Sequence, residues 1–249
     1  MRNQTSIILP SYNGLELLQQ SIGAIRMYTN EQETPYELIV VDNGSNDGSC
    51  EWCRIEGITF ISMPTNSGFP RACNKGMRLA AGDSLLLLNN DVTVTHGWLS
   101  ELTETLFSQA EIGLVGPVTN HASGKQQVSY PFSSLQEFHR MAAEVRSKVE
   151  LASEPVMRLI GFCLLIKREV YERIGELDER FTPGHYEDDD YCLRARMQGY
   201  SLQMCTNVFV HHEGSVSFKR SNPEEVQQLI ERNRQQFITK WQIDPACFI

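Results

Sequence analysis

Short apolar runs alternate with longer stretches of helical periodicity across residues 6–91, and few folds accommodate that pattern. The runs fall at 6–9, 38–41, 59–63 and 84–88, each strand-sized, and all but the third are rich in Ile, Val or Leu. Between them, 14–28 carries Leu15, Leu18, Ile22 and Ile25 at helical spacing, 49–55 reads as a short helix, and 70–81 opens with Pro70 in a first turn. Strand and helix repeated in this order predict βαβ units and a parallel sheet covered by helices. Ligands of such sheets bind beyond the carboxyl ends of the strands. The polar clusters fall there: Tyr12 and Asn13, then Asp42, then Asn66 with Arg71, then Asn89-Asn90-Asp91. One edge of the sheet is expected to carry a site.

The net charge of −9 and a pI near 5.2 argue against a general nucleic-acid surface or an anionic-membrane patch. The longest apolar runs, such as 85–88, are strand-sized, so no transmembrane helix is read. Met1 to Ser6 is polar and leads straight into a strand, unlike a secretory signal, and a cytoplasmic location is expected. Cys50 and Cys53 form a C-x-x-C with no second pair at zinc-site spacing, so reduced thiols are expected. No Pro/Gly/Ser-rich linker divides the 249 residues, and 1–249 reads as one domain with a change of character near residue 110.

Beyond that point the spacing predicts a helix over 98–108, a strand over 112–115, a polar loop over 120–130 and a helix over 135–150. A strand over 159–167, a short helix over 169–174, strands at 202–204 and 208–210, and a last helix over 223–241 follow. Four consecutive acids, Glu187-Asp188-Asp189-Asp190, precede Leu193 and Met197 at helical spacing and Gly199 as a C-terminal stop. They therefore open a helix, where the macrodipole favours negative charge, and Asp190 with Arg194 makes an ordinary i,i+4 pair. Four adjacent carboxylates nevertheless repel one another more than a cap requires, which is a functional-site pattern. With Asp91 and His211, Asp188 makes a set of carboxylate oxygens and imidazole nitrogen. Together with substrate phosphates such a set suits Mg²⁺ or Mn²⁺, arriving with the phosphates. His212 is the alternative histidine.

Taken in order, six segments resemble the family 2 glycosyltransferases of the GT-A fold, close to their rhamnosyltransferase-like branch. They are Leu9-Pro10-Ser11-Tyr12-Asn13, Val40-Val41-Asp42-Asn43-Gly44-Ser45, Asn66-Ser67-Gly68-Phe69 with Asn74-Lys75-Gly76, Leu88-Asn89-Asn90-Asp91, Glu187-Asp188 with Asp190 and Arg194, and His211 with Ser215. The resemblance runs from Thr5 to about Ser217. It implies an α/β fold with a Rossmann-like, mostly parallel sheet, a nucleotide-binding half over 1–110 and an acceptor-binding half over 111–249.

The resemblance also implies roles. Asp42 would bond the nucleotide base, and Pro10, Tyr12 and Asn13 would shape the base and ribose pocket. Asn66, Arg71 and Asn74 would face the diphosphate or sugar, with Asn89 and Asn90 beside them. Asp91 holds the last place of the family's D-x-D motif and His211 the place of its metal-binding histidine, with Mn²⁺ or Mg²⁺ as the ion. Asn89 departs from that motif, which begins with Asp. Asp188 would be the base, with Glu187 next to it.

The implied reaction moves a sugar from a UDP- or dTDP-linked donor to a hydroxyl of a glycan, protein or small-molecule acceptor, with inversion. Homodimer formation is compatible with this reading. A nucleotide-sugar pyrophosphorylase would want a basic Gly-rich loop after the first strand, where Pro10-Ser11-Tyr12-Asn13-Gly14 stands. A dinucleotide oxidoreductase would want G-x-G-x-x-G there. Asn89 is the one feature that favours a degenerate, non-catalytic sugar-nucleotide binder; Glu187, Asp188 and His211 weigh against it.

Overall fold

The computed structural model describes residues 3–148, 153–214 and 222–249. Ser215, Ser217 and the expected last turn of a helix reaching residue 150 lie outside the described residues.

The first half follows the alternation of the sequence. Strands β1 (Thr5–Ser11), β2 (Tyr36–Asp42), β3 (Thr59–Ser62) and β4 (Ser84–Leu88) are joined through helices α1 (Leu15–Tyr28), α2 (Ser49–Ile55) and α3 (Phe69–Leu79). The four strands lie in the order β3-β2-β1-β4, all parallel. Side chains alternate across a strand, and here both faces are covered. Ile7, Leu9, Leu86 and Leu88 pack with Leu18, Ile22 and Ile25 of α1. Ile8, Leu85 and Leu87 pack with Ala72, Cys73 and Met77 of α3. This double covering is why the strands read as unbroken apolar runs.

Helix α3 sits so close to the sheet that Gly76 has no room for a side chain. A Cβ there would lie 2.3 Å from Ile8 Cγ2 and 3.1 Å from Val41 Cγ2. Gly76→Val is expected to destabilise the fold by about 1–3 kcal/mol through overpacking, measured as a lower denaturant midpoint.

The second half continues the same sheet with mixed strand directions. Strand β5 (Val92–Thr93) and helix α4 (Trp98–Ser108) lead to β6 (Ile112–Thr119), helix α5 (Leu135–Lys148) and β7 (Ser153–Val156). Then come β8 (Cys163–Lys167), α6 (Arg168–Ile174), α7 (Glu187–Met197), β9 (Ser201–His212) and α8 (Pro223–Trp241). Strand β8 inserts antiparallel between β4 and β6, and β9 runs parallel to β6. Strands β5 and β7 both pair with β9 antiparallel.

Several expectations change; among them, the strand read over 112–115 runs on to Thr119, and the short β5 was not expected. The strand read over 159–167 begins at Cys163, because the backbone N–H groups before it bond to side chains rather than to a neighbouring strand: Ile160 N donates to Gln126 Oε1 (2.7 Å) and Gly161 N to Asp188 Oδ2 (2.9 Å). The two strands read at 202–204 and 208–210 are one strand, β9, whose register against β6 slips beside Pro117, which has no N–H to give the ladder. Strand β7 was not expected; it carries Pro155, pairs only with β9 among the described strands, and so tolerates the missing donor. Met197, read as part of an apolar helix face, is exposed, while Leu193 is buried.

Candidate active site

Past the carboxyl ends of β1, β2 and β4, a cavity of about 920 Å³ opens between the sheet, α7 and α8. Pro10 and Tyr12 line it from β1, Asn43 from β2, Asn66 from the turn before α3, and Asn89, Asn90 and Asp91 from β4. Glu187, Asp188 and Asp189 line it from α7, and His212 from the end of β9.

The turn that follows β2 is held by local polar pairing. Asn46 N donates to Asn13 Oδ1 and Asn13 N to Ser45 Oγ, both at 2.9 Å, and Asn13 takes a φ of +47° to do so. Asp42 is almost fully buried, and both its oxygens lie within 3.4 Å of Ser45 N. Asp42 and Asn13 thus stand behind the wall, and Asn43 is on it. Asn43 Oδ1 accepts from Ser67 N (2.9 Å), and its Nδ2 donates to Asn66 Oδ1 (3.0 Å), joining the two turns. Gly44, at a φ of +84°, allows that approach: a Cβ would lie 2.7 Å from the Thr65 backbone.

Strand alternation separates the two histidines of β9. His211 turns away from the cavity, with its ring against Phe132 (centroids 5.4 Å apart) and Phe138 (5.6 Å); burial lowers its pKa. His212 turns into the cavity, stacked on Phe162 at 5.2 Å. Asn120 grips its backbone, Oδ1 accepting from His212 N (2.8 Å) and Nδ2 donating to His212 O (3.0 Å). Its Nδ1 lies 2.8 Å from His121 O, an acceptor only, so Nδ1 carries the proton and Nε2 faces Asn89 Nδ2 (3.3 Å) and Asp91 Oδ1 (3.2 Å). The structure therefore places His212, not His211, beside Asp91.

That pair fits a hard divalent cation. An imidazole whose second nitrogen is tied to a carbonyl is the usual form of a metal-binding histidine. Two donor atoms about 3 Å apart match neighbouring positions of an octahedron with ~2.1 Å bonds. Among the described residues no group of three His, Cys, Asp or Glu side chains could hold a metal. Asp91 and His212 would therefore need oxygens from a ligand to complete the shell.

The acidic run opens α7 as its pattern predicts, and its members separate by environment. Asp190 is fully buried, pairs with Arg194 at 2.8 Å, and accepts from Trp241 Nε1 (2.8 Å). Asp189 forms an ion pair with Arg158 (3.0 Å), and burial together with the charge of Asp188 lifts its pKa to about 7. Glu187 is buried with Oε2 unpartnered; burial, then the charge of Asp188, pushes its pKa well above the usual carboxylate range. Asp188 accepts from Gly161 N through Oδ2 and from Asp189 N through Oδ1, both at 2.9 Å, which leaves each oxygen a further lone pair. Its carboxylate is aimed by backbone rather than by mobile side chains.

The raised pKa of Asp189 has a stability consequence. Below the unfolded value near 4 both states hold the proton, and this contribution is fully present. As pH rises through the folded value of about 7 it is lost. His185 and His211, whose pKa values burial lowers, act in the opposite sense below about 6.5. The difference between wild type and Asp189→Asn isolates the carboxyl. The variant is expected to gain in melting temperature relative to wild type as pH rises from about 4 to about 7. A pH-independent difference would contradict the shift.

The structure does not bring Arg71 and Asn74 to the cavity. Arg71 is exposed and pairs with Glu179 at 3.3 Å. Asn74 is buried, its Oδ1 accepting from Leu177 N and its Nδ2 donating to Leu177 O, both at 2.9 Å. Both tether α3 to 177–179. Arg158, Arg234 and Phe162 line the cavity without any sequence motif that marks them, and Phe69 lines it from a motif in which it was given no role.

The model of glycosyl transferase family 2 matches residues 6–175. The chain belongs to that family. The family 2 assignment agrees with its relatives. It is 26% identical over 226 residues to the low-salt glycan biosynthesis hexosyltransferase Agl10 of Haloferax volcanii, covering 88% of this chain and 70% of that protein. It is 22% identical over 241 residues to the N-acetylglucosaminyl-diphospho-decaprenol L-rhamnosyltransferase of Mycobacterium tuberculosis, covering 86% and 77%. The fold is GT-A. A mannosyltransferase of Pyrobaculum calidifontis, solved with GDP-Man and Mn²⁺, superposes with a TM-score of 0.64 at 19% identity over 85% of this chain and 57% of that one. Among the described residues, no helix is long and apolar enough to cross a membrane.

Proposed function

We propose that this chain is an inverting glycosyltransferase that moves a sugar from a UDP- or dTDP-linked donor to an acceptor hydroxyl, with Asp188 as the base. The observation that carries the reading is one cavity holding both a backbone-aimed carboxylate, Asp188, and the Asp91–His212 pair.

Residues at the ends of β1, β2 and β4 would hold the nucleotide, with Pro10, Tyr12, Asn43 and Asn66 forming the wall. Asp91 and His212 would hold Mn²⁺ or Mg²⁺ together with diphosphate oxygens. When bound, the cation would offset the charge that develops on the leaving diphosphate. Asp188 takes the acceptor's hydroxyl proton as that oxygen attacks the anomeric carbon and the bond to the diphosphate oxygen breaks. Attack from the face opposite the leaving group gives inversion in a single step. The Arg158–Asp189 ion pair limits the negative charge around Asp188, and burial disfavours a further charge on Glu187. The acceptor is a glycan precursor, protein or small molecule reached from the cytoplasm; cell fractionation that placed the protein elsewhere would contradict that location.

Donor preference is tested by incubating the protein with UDP-, dTDP- and GDP-sugars and Mn²⁺ and following the melting temperature. A ligand at about 100 times its Kd stabilises the native state by about 2.7 kcal/mol. A rise with UDP or dTDP compounds is expected, and a rise confined to GDP compounds would contradict the donor class.

A further inference from the structure

The backbone carbonyls of residues 181–185 form an unbroken row leading into α7, and each has a donor. Pro183 O accepts from Phe69 N (2.8 Å) at the start of α3. The other four are held from α8. Arg232 Nη2 donates to Thr182 O (2.6 Å). Asn233 Nδ2 lies 2.8 Å from Phe181 O, 2.8 Å from Gly184 O and 3.2 Å from His185 O, so its two protons serve three acceptors.

Asn233 is fully buried. The direction of its amide is set by Arg232, whose Nε and Nη2 donate to Asn233 Oδ1 at 3.1 and 3.0 Å. The row ends in a costly conformation: His185 and Tyr186 are consecutive non-glycine residues at a φ of +73°. Left-handed backbone of this kind persists where its surroundings over-determine it, and it concentrates at functional sites. Glu187 and Asp188 come next in the chain. Asn233 lies outside the residues 6–175 that match the family, and it does not line the cavity.

We propose that Asn233 is a positioning residue for transfer: it fixes the left-handed turn at His185–Tyr186 and thereby sets where the Asp188 carboxylate stands. The inference rests on Asp188 being the base. Misplacement of a reacting group by about 1 Å can cost on the order of 10²-fold in rate without loss of binding. A buried asparagine that only stabilised the fold would lower the melting temperature and leave the turnover of folded enzyme unchanged.

The test measures kcat, donor KM, UDP affinity by calorimetry and melting temperature for Asn233→Ala, Asn233→Ser and Asp188→Asn, well below each melting temperature. Asn233→Ala is expected to lose about 10²-fold in kcat with donor KM and UDP affinity within about twofold of wild type. Asn233→Ser, which restores one donor, is expected to recover about tenfold of that loss. A kcat for Asn233→Ala within about twofold of wild type overturns the proposal. If Asn233→Ala does not fold, Asn233→Ser decides: a fall of about tenfold supports positioning, and a change within about twofold overturns it. Asp188→Asn separates the two failures. If it is inactive while the Asn233 variants keep full kcat, positioning alone fails. If it turns over normally, the base assignment fails and the proposal falls with it.

Discussion

Asp188→Asn is expected to lower glycosyl transfer by about 10²–10⁴-fold, the usual range for loss of a general base. The amide keeps the size of the carboxylate but cannot take up the acceptor's proton. Its oxygen can still accept the Gly161 N–H that now meets Oδ2 at 2.9 Å, so the turn into α7 is expected to survive. Donor binding depends on residues at the ends of β1, β2 and β4 and is expected to change by no more than about twofold, so the loss belongs to kcat. Asp190→Asn is the informative neighbour. Asp190 is fully buried and pairs with Arg194, with Trp241 Nε1 also bonded to it, so its loss is expected to cost stability. Thermal melts and kinetics read together separate the two carboxylates: one variant is expected to be folded and slow, the other less stable.

The second large effect concerns the cation. Asp91→Ala and His212→Ala are each expected to abolish the Mn²⁺-dependent part of UDP binding. Loss of a metal ligand costs at least the ~10–100-fold in affinity that loss of an outer partner costs. Calorimetry with Mn²⁺ and with chelator checks this, and both variants should bind UDP equally in the two conditions. His211→Ala is the contrast. Its ring packs on Phe132 and Phe138 away from the cavity, so it should lose stability and keep the Mn²⁺ dependence of UDP binding. If His211→Ala loses the cation effect and His212→Ala keeps it, the orientation of β9 described above does not hold in solution.

Much of this architecture was legible in the sequence because it is written in local periodicity. The parallel strands β1, β2 and β4 are continuous apolar runs, since helices cover both of their faces. The polar residues that follow each run had to sit at the strand ends, and Pro10, Tyr12, Asn66, Asn89, Asn90 and Asp91 all reach the cavity. What stayed hidden was parity and distance. Val208, Phe209 and Val210 are all buried, so the end of β9 carries no polar alternation to show which histidine faces the site. Arg71 and Asn74 stand on a helix that starts at the cavity, but their side chains bond to 177–179, about a hundred residues away in sequence. Asn233 holds a turn 48 to 52 residues before it, and no spacing rule reports such a contact. The acidic run was visible, but the division of labour among its members depends on Arg158 and Gly161, from the stretch before β8, and on Trp241, from the end of α8.

The anomeric configuration of the product tests the central claim most directly. With an accepted donor and acceptor, proton NMR of the newly formed glycoside reads the configuration at the transferred carbon. Single displacement with Asp188 as base predicts a product of configuration opposite to the donor's. A product that retains the donor's configuration would contradict it, because retention requires chemistry that one carboxylate base opposite the leaving group does not provide.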